Sequence, residues 1–345
     1  MKRRLWLLLV GLPIGIAACA PMYKAELVRP GAPVYAYVFN VGSKDVTLID
    51  TATNAVVGTK PLGAAVRWLS NEQDFWDGQH IWTYDLVDGM VELIAIEPGE
   101  MRVTRRLRVG KGPAHSVMLT PDRRHVLVNA AGENFIAVVD RETLQVVRKI
   151  PTGLFPCDLD FTPDGKVGYF PERDQDTVAS LDLKSFEILK RVSFPQGSKP
   201  HMLRVAPDGG SVWVQTARGG TNDVLDPETL ALRHTQQLGR EPVTNAWTPD
   251  GRFAYITHFA DDFVAVLDAG TAREVKRIRV GSGLGTVAFR PDGRYAYVTV
   301  RGENKVAVID TARMEVVKEL PAGQQPWGLI VMSPPERGAP SPAGY

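Results

Sequence analysis

Three of the six histidines in this 345-residue chain, His115, His201 and His258, stand where an imidazole could act as a ligand. Two follow a proline that opens an apolar run, and the third closes such a run. A neutral imidazole is the commonest side-chain metal ligand, and otherwise it serves as a hydrogen-bonding partner for backbone groups. Arg67, Asp158, Asn245 and Trp327 occupy the same kind of position. Guanidinium, carboxylate, amide and indole together could hold an anionic or sugar-like ligand, and the metal set would be His115, His201 and His258. Cys157 lies among apolar neighbours, so its thiol is expected to be a small core side chain. The marks of covalent chemistry are missing: there is no serine or cysteine nucleophile motif, no phosphate loop and no Cys-x-x-Cys-His.

The elements that must position these residues come from one repeated unit. Its clearest copy runs from Gly285 to Pro326. Thr286 to Phe289 reads as a strand, Pro291, Asp292 and Gly293 as a turn, and Tyr295 to Val300 as a second strand. A polar loop leads to a third strand, Val306 to Ile309, and Asp310 and Thr311 turn into a fourth, Val316 to Leu320. The middle strands are apolar at nearly every position, so both faces of the four-stranded sheet need cover. One sheet cannot supply that cover for itself, whereas a ring of such sheets can, which predicts an all-β β-propeller.

The turn prolines Pro121, Pro163, Pro207, Pro249 and Pro291 are spaced by 42, 44, 42 and 42 residues, and Asp140, Asp182, Asp226, Asp268 and Asp310 repeat that spacing. A degenerate unit from about Gly63 to Gly112 has Asp77 and Gly78 for its turn and Glu97 and Pro98 in place of the aspartate. A further unit begins midway at Val34 and lacks its first strand, while Gln325 to Met332 matches the opening of a unit and stops. The expectation is seven four-stranded antiparallel blades over residues 34–332, closed by the C-terminal strand completing the N-terminal blade.

Tyr297, Val298 and Thr299 with Val308, Ile309, Asp310 and Thr311, and Tyr255, Ile256 and Thr257 with Val266, Leu267 and Asp268, give the chain its resemblance to a family: it resembles the YVTN-type propeller repeat of secreted bacterial and archaeal proteins. The resemblance implies the fold and leaves function open. In such a ring the PDG and DxxT turns share one face. The other face carries the loops between strands two and three and between blades, and these vary from blade to blade. Variable loops on a rigid scaffold are where binding is expected.

Residues 1–18 read as an export signal, with Lys2, Arg3 and Arg4 before the apolar run Leu5 to Leu12. That run is too short to span a bilayer permanently. Ile16, Ala17, Ala18 and Cys19 resemble a bacterial lipobox, which implies lipidation of Cys19, a tether over 19–33 and a periplasm-facing position, with Ala20 favouring the outer membrane. Residues 333–345 are rich in proline, glycine and serine and are expected to be disordered. The net charge of +1 gives no basis for nucleic-acid binding. Basic residues such as Arg106, Arg148, Lys190 and Arg277 lie on the fourth strands, where charge blocks edge-to-edge pairing and keeps the ring monomeric.

The leading functional expectation is a membrane-tethered, extracytoplasmic binding module that uses its variable face for an envelope protein, a glycan or a small anionic ligand. The alternative is a propeller binding a haem-type or metal cofactor, redox or biosynthetic in role, similar to the haem-carrying propellers of periplasmic nitrite reductases. In that case His115, His201 or His258 would be ligands, and Arg67, Arg173 or Arg218 would face carboxylate arms. A hydrolase resembling the propeller lactonases ranks third.

Overall fold

The protein is described here by a computed structural model covering residues 27–70 and 74–335; Cys19, the signal and most of the C-terminal tail lie outside these. Among the described residues there are seven antiparallel sheets, six of four strands and one of three. Consecutive sheets follow one another around a ring, the innermost strand packing beside that of the next at most of the boundaries. The fold is a seven-bladed β-propeller.

Blade one is built from both ends of the sequence. Tyr35–Asn40, Asp45–Asp50 and Ala55–Pro61 are its outer three strands, and Pro326–Met332 is its innermost. The closing pair is antiparallel, with Tyr35 opposite Met332 and Phe39 opposite Gly328. The packed chain extends slightly past both expected ends: Leu27 joins a core cluster with Met332, and its carbonyl accepts the Ser333 N–H at 2.8 Å.

Burial follows from the sequence pattern. In blade seven, Tyr295–Val300 is buried at every position but the first, and Lys305–Asp310 at every position except its two ends. Tyr297, Val306 and Val308 pack with Ala36, Val38 and Ile49 of blade one, so the apolar face of each blade is covered by its neighbour. The repeated turns are held by their own side chains. Asp140, Asp226 and Asp268 each accept from the N–H and hydroxyl of the threonine three residues on, at 2.6–2.9 Å. The fourth-strand cations are partly paired: Arg106 and Arg108 reach Glu92, and Arg191 reaches the buried Glu172, at 3.0–3.1 Å.

Blade two departs from the expected four strands. Ile81–Val87, Met90–Glu97 and Arg102–Lys111 form a three-stranded sheet. Among the described residues its inner edge is met by a bridge between Trp76 and Ile81, where the Trp82 N–H donates to the Phe75 carbonyl at 2.8 Å. The preceding chain spends its pairing on blade one instead: Ser70 bridges Leu329, and the Leu329 N–H donates to the Leu69 carbonyl at 2.9 Å. Asp77 and Glu97 hold the turns expected of them, accepting backbone N–H groups at 2.7–2.8 Å.

Candidate functional site

The irregular stretch of blade two carries Trp68 into the mouth of the ring. Its indole stacks on the His115 imidazole at 5.5 Å and 29°, and meets His201 edge-on at 5.7 Å and Trp327 edge-on at 4.7 Å. These partners come from blades three, five and one. One side chain therefore reaches across the opening. His115 also lies 5.3 Å from both Phe155 and His201. On the far side Phe259 stacks on Trp327 at 5.8 Å, and the Arg301 guanidinium sits 4.5 Å above Trp327 and 5.7 Å from Phe259. Arg173 caps the Phe155 ring at 4.6 Å. The result is a lining of aromatic faces overlaid by cations.

Beneath Trp68, His115, Cys157 and His201 each offer one ligand atom, and these three atoms lie within 4.8 Å of one another. His115 Nδ1 and His201 Nε2 are buried without a hydrogen-bond partner. Burial drives the His201 pKa down to about 3, helped by the Arg173 charge. Burial also holds His115 well below its ordinary value, with His201, Arg173 and Arg67 adding to the effect. The Cys157 thiol is pushed up, chiefly by burial. Near neutrality the cluster is two neutral imidazoles and a thiol.

Further unsatisfied polar atoms lie on inner segments of the ring: the Ser70 and Tyr84 hydroxyls, both amide atoms of Asn245, and Trp327 Nε1. Arg301 Nε is also without a partner, although its Nη2 donates to Gln325 Oε1 at 3.1 Å. The Arg301 pKa is lowered by its burial and by Arg67, with no carboxylate contributing. Buried polar atoms are costly to leave unmet.

The sequence candidates separate into two groups. The structure brings together Arg67, His115, His201 and Trp327, and Asn245 lies fully buried on the innermost strand of blade six. His258 does not join the other two histidines. Its Nδ1 faces the Phe263 carbonyl at 3.2 Å and its ring lies 4.5 Å from the Phe263 ring, so the third strand of its own blade occupies it. Cys157 is the third donor instead. Asp158 is also redirected: its carboxylate is ion-paired with Arg204 and accepts the Leu203 N–H at 3.1 Å, fastening blade four to blade five. Sequence reasoning missed Phe155 and Phe259. Their only mark is position, Phe155 immediately before Pro156 and Phe259 immediately after His258.

With this geometry in hand, comparison with known proteins adds the following. The profile of the YNCE-like beta-propeller family matches residues 54–334. No curated protein matches the sequence. Among solved structures, Kuenenia stuttgartiensis hydrazine synthase superposes with a TM-score of 0.66 at 17% identity, over 79% of this chain and 90% of that one. A functionally unknown protein from Desulfotomaculum acetoxidans gives 0.71 at 14% identity, over 87% and 99%. The dihydro-heme d1 dehydrogenase NirN in complex with DHE gives 0.65 at 16% identity, over 86% and 74%. At these identities the likeness is one of fold.

Proposed function

The chain belongs to the YNCE-like beta-propeller family, and from that premise we propose that it is an extracytoplasmic binding module, tethered through a lipid on Cys19, that holds a small anionic ligand with a flat unsaturated body at the mouth of the ring. The observation that carries this reading is the Arg301 guanidinium lying 4.5 Å over Trp327, with Phe259 stacked alongside and no carboxylate lowering the cation's appetite for an anion. Arg67 and Arg173 stand near enough to influence His115, so three cations border one aromatic surface. A conjugated ring would pack against the partly exposed Trp68, Phe155 and Phe259 side chains, and its acidic arms would meet the guanidiniums.

NirN, which shares the fold, is described in complex with DHE, and this brings haem-type tetrapyrroles forward as a ligand class. The aromatic faces and guanidiniums suit the periphery of such a molecule. The donors beneath do not suit its iron. A haem iron accepts one protein ligand per face, whereas here two imidazoles and a thiol converge within 4.8 Å. The ligand is therefore assigned to the mouth through its edges and charges, with no role given to an iron–protein bond. The hydrolase reading gains nothing: the buried carboxylates of Asp158 and Asp160 are committed to Arg204 and to backbone N–H groups.

The test uses ferric protoporphyrin and a plain aromatic dicarboxylate as probes, titrated into the purified chain while tryptophan emission is followed. Trp68 and Trp327 line the mouth, so binding there gives saturable quenching that weakens as salt is raised. Quenching that is linear and salt-independent for both probes would defeat the proposal.

A further inference from the structure

We propose that His115, Cys157 and His201 form a binding site for a single monovalent copper ion, buried directly beneath the Trp68 indole. The inference does not depend on what occupies the mouth above. It stands on convergence and on unmet bonding. Three side chains of ligating type, from three different blades, bring one donor atom each within 4.8 Å of the other two. Cys157 is fully buried, and His115 is only 9% exposed. His115 Nδ1 and His201 Nε2 have no hydrogen-bond partner.

The distances are close to what an ion requires. Metal bonds of about 2.0 Å to imidazole and 2.3 Å to thiolate put the donors about 3.5–4 Å apart around a trigonal centre. The cluster would need to tighten by up to about 1.3 Å, through rotations about the χ angles of two imidazoles and one thiol. The surrounding aromatic carbons of Trp68 and Phe155 offer no fourth ligand.

Charge selects the ion. Binding displaces the thiol proton to solvent, so the site becomes two neutral imidazoles, one thiolate and the metal. With a +1 ion the sum is zero. With a +2 ion a full positive charge would remain in a largely buried site, His201 being its one partly exposed ligand, beside the Arg173 and Arg67 charges that already bear on His115. Soft thiolate donors and low coordination also favour copper(I) over harder divalent ions.

The experiment is an anaerobic titration of the metal-stripped full chain with copper(I), in competition with a chromogenic copper(I) chelator, followed by X-ray absorption on the loaded protein. One ion per chain should be retained, with one sulfur and two nitrogens in its first shell. Cys157→Ser and His201→Gln should each weaken retention by about a hundredfold or more, while His125→Gln, at the start of the second strand of blade three where its ring meets Phe186, should leave it unchanged. Melting curves of each variant identify any that fail to fold, and the absorption spectrum of the wild-type protein tests the assignment without a variant. A shell without sulfur, undiminished binding by a folded Cys157→Ser protein, or retention of zinc in place of copper would each overturn the proposal.

Discussion

Arg204 on the innermost strand of blade five and Asp158 of blade four form an ion pair in which both side chains are almost wholly withdrawn from water, at 3% and 0% exposure. The pair crosses a blade boundary, and the Leu203 N–H adds a second contact to the same carboxylate. It tells blade four where blade five must sit. Removing one partner leaves a buried charge, so Arg204→Met should cost about 3–5 kcal/mol in urea unfolding. The double change Arg204→Met with Asp158→Asn should recover most of that loss. A single variant that unfolds like wild type would show the pair to be idle.

Asp160, two residues on, gives the first pH prediction. Burial raises its pKa to about 7, against an unfolded value near 3.8. The native state thus holds a proton that the unfolded chain has already released. Stability is greatest below pH 4 for this group and is lost as pH rises toward 7. Asp160→Asn should remove that part of the decline in a series of melts from pH 4 to 8.

His258 acts in the opposite sense. Burial lowers its pKa from 6.5 to about 4, so the unfolded chain takes up a proton that the native imidazole refuses. Stability should fall on acidification from pH 6.5 to 4, by on the order of 3 kcal/mol. His258→Gln should make that limb shallower, the remainder being due to His115 and His201, which burial holds down in the same way. Asp160 works against the histidines over the same range, so single variants are needed to separate the contributions.

Arg301 should matter for the ligand and little for the fold. Replacing it with glutamine keeps a donor and deletes the charge above Trp327. Affinity for the anionic probes should drop about tenfold or more, with melting unchanged and the salt dependence of binding reduced. Equal affinity at low salt would remove Arg301 from the site.

Closure of the ring can be tested by ending the chain at Gln325. This deletes the strand that pairs with Tyr35–Asn40 and takes away the Leu329 contact to Leu69. The truncated protein should lose its cooperative thermal transition and aggregate through the exposed edge of Tyr35–Asn40. A cooperative melt near that of the intact chain would mean that closure contributes little.

The fold was legible because Pro121 through Pro291 and Asp140 through Asp310 repeat with turn chemistry that has few other uses. The split blade could be read from Val34 and Trp327, each half of one unit. The site was legible only in outline. Residues following the inter-blade prolines do gather at the mouth, as with His201 and Trp327, but type alone did not show which would stay free. His258 is drawn to the Phe263 carbonyl of the next strand in its own blade, a pairing the repeat predicts without showing that the imidazole would take part, and Asp158 is drawn to Arg204 across a blade boundary that nothing in the repeat links to it. Cys157 was the reverse case: a lone thiol reads as core until two imidazoles from other blades are placed beside it.

The three-stranded form of blade two among the described residues has a last consequence. Seven identical sectors would offer a guest seven equivalent ways to settle, each as good as the next. With one sector built differently, through a stretch that sends Trp68 inward, that degeneracy is broken, and the scaffold itself sets a compass bearing for whatever it holds.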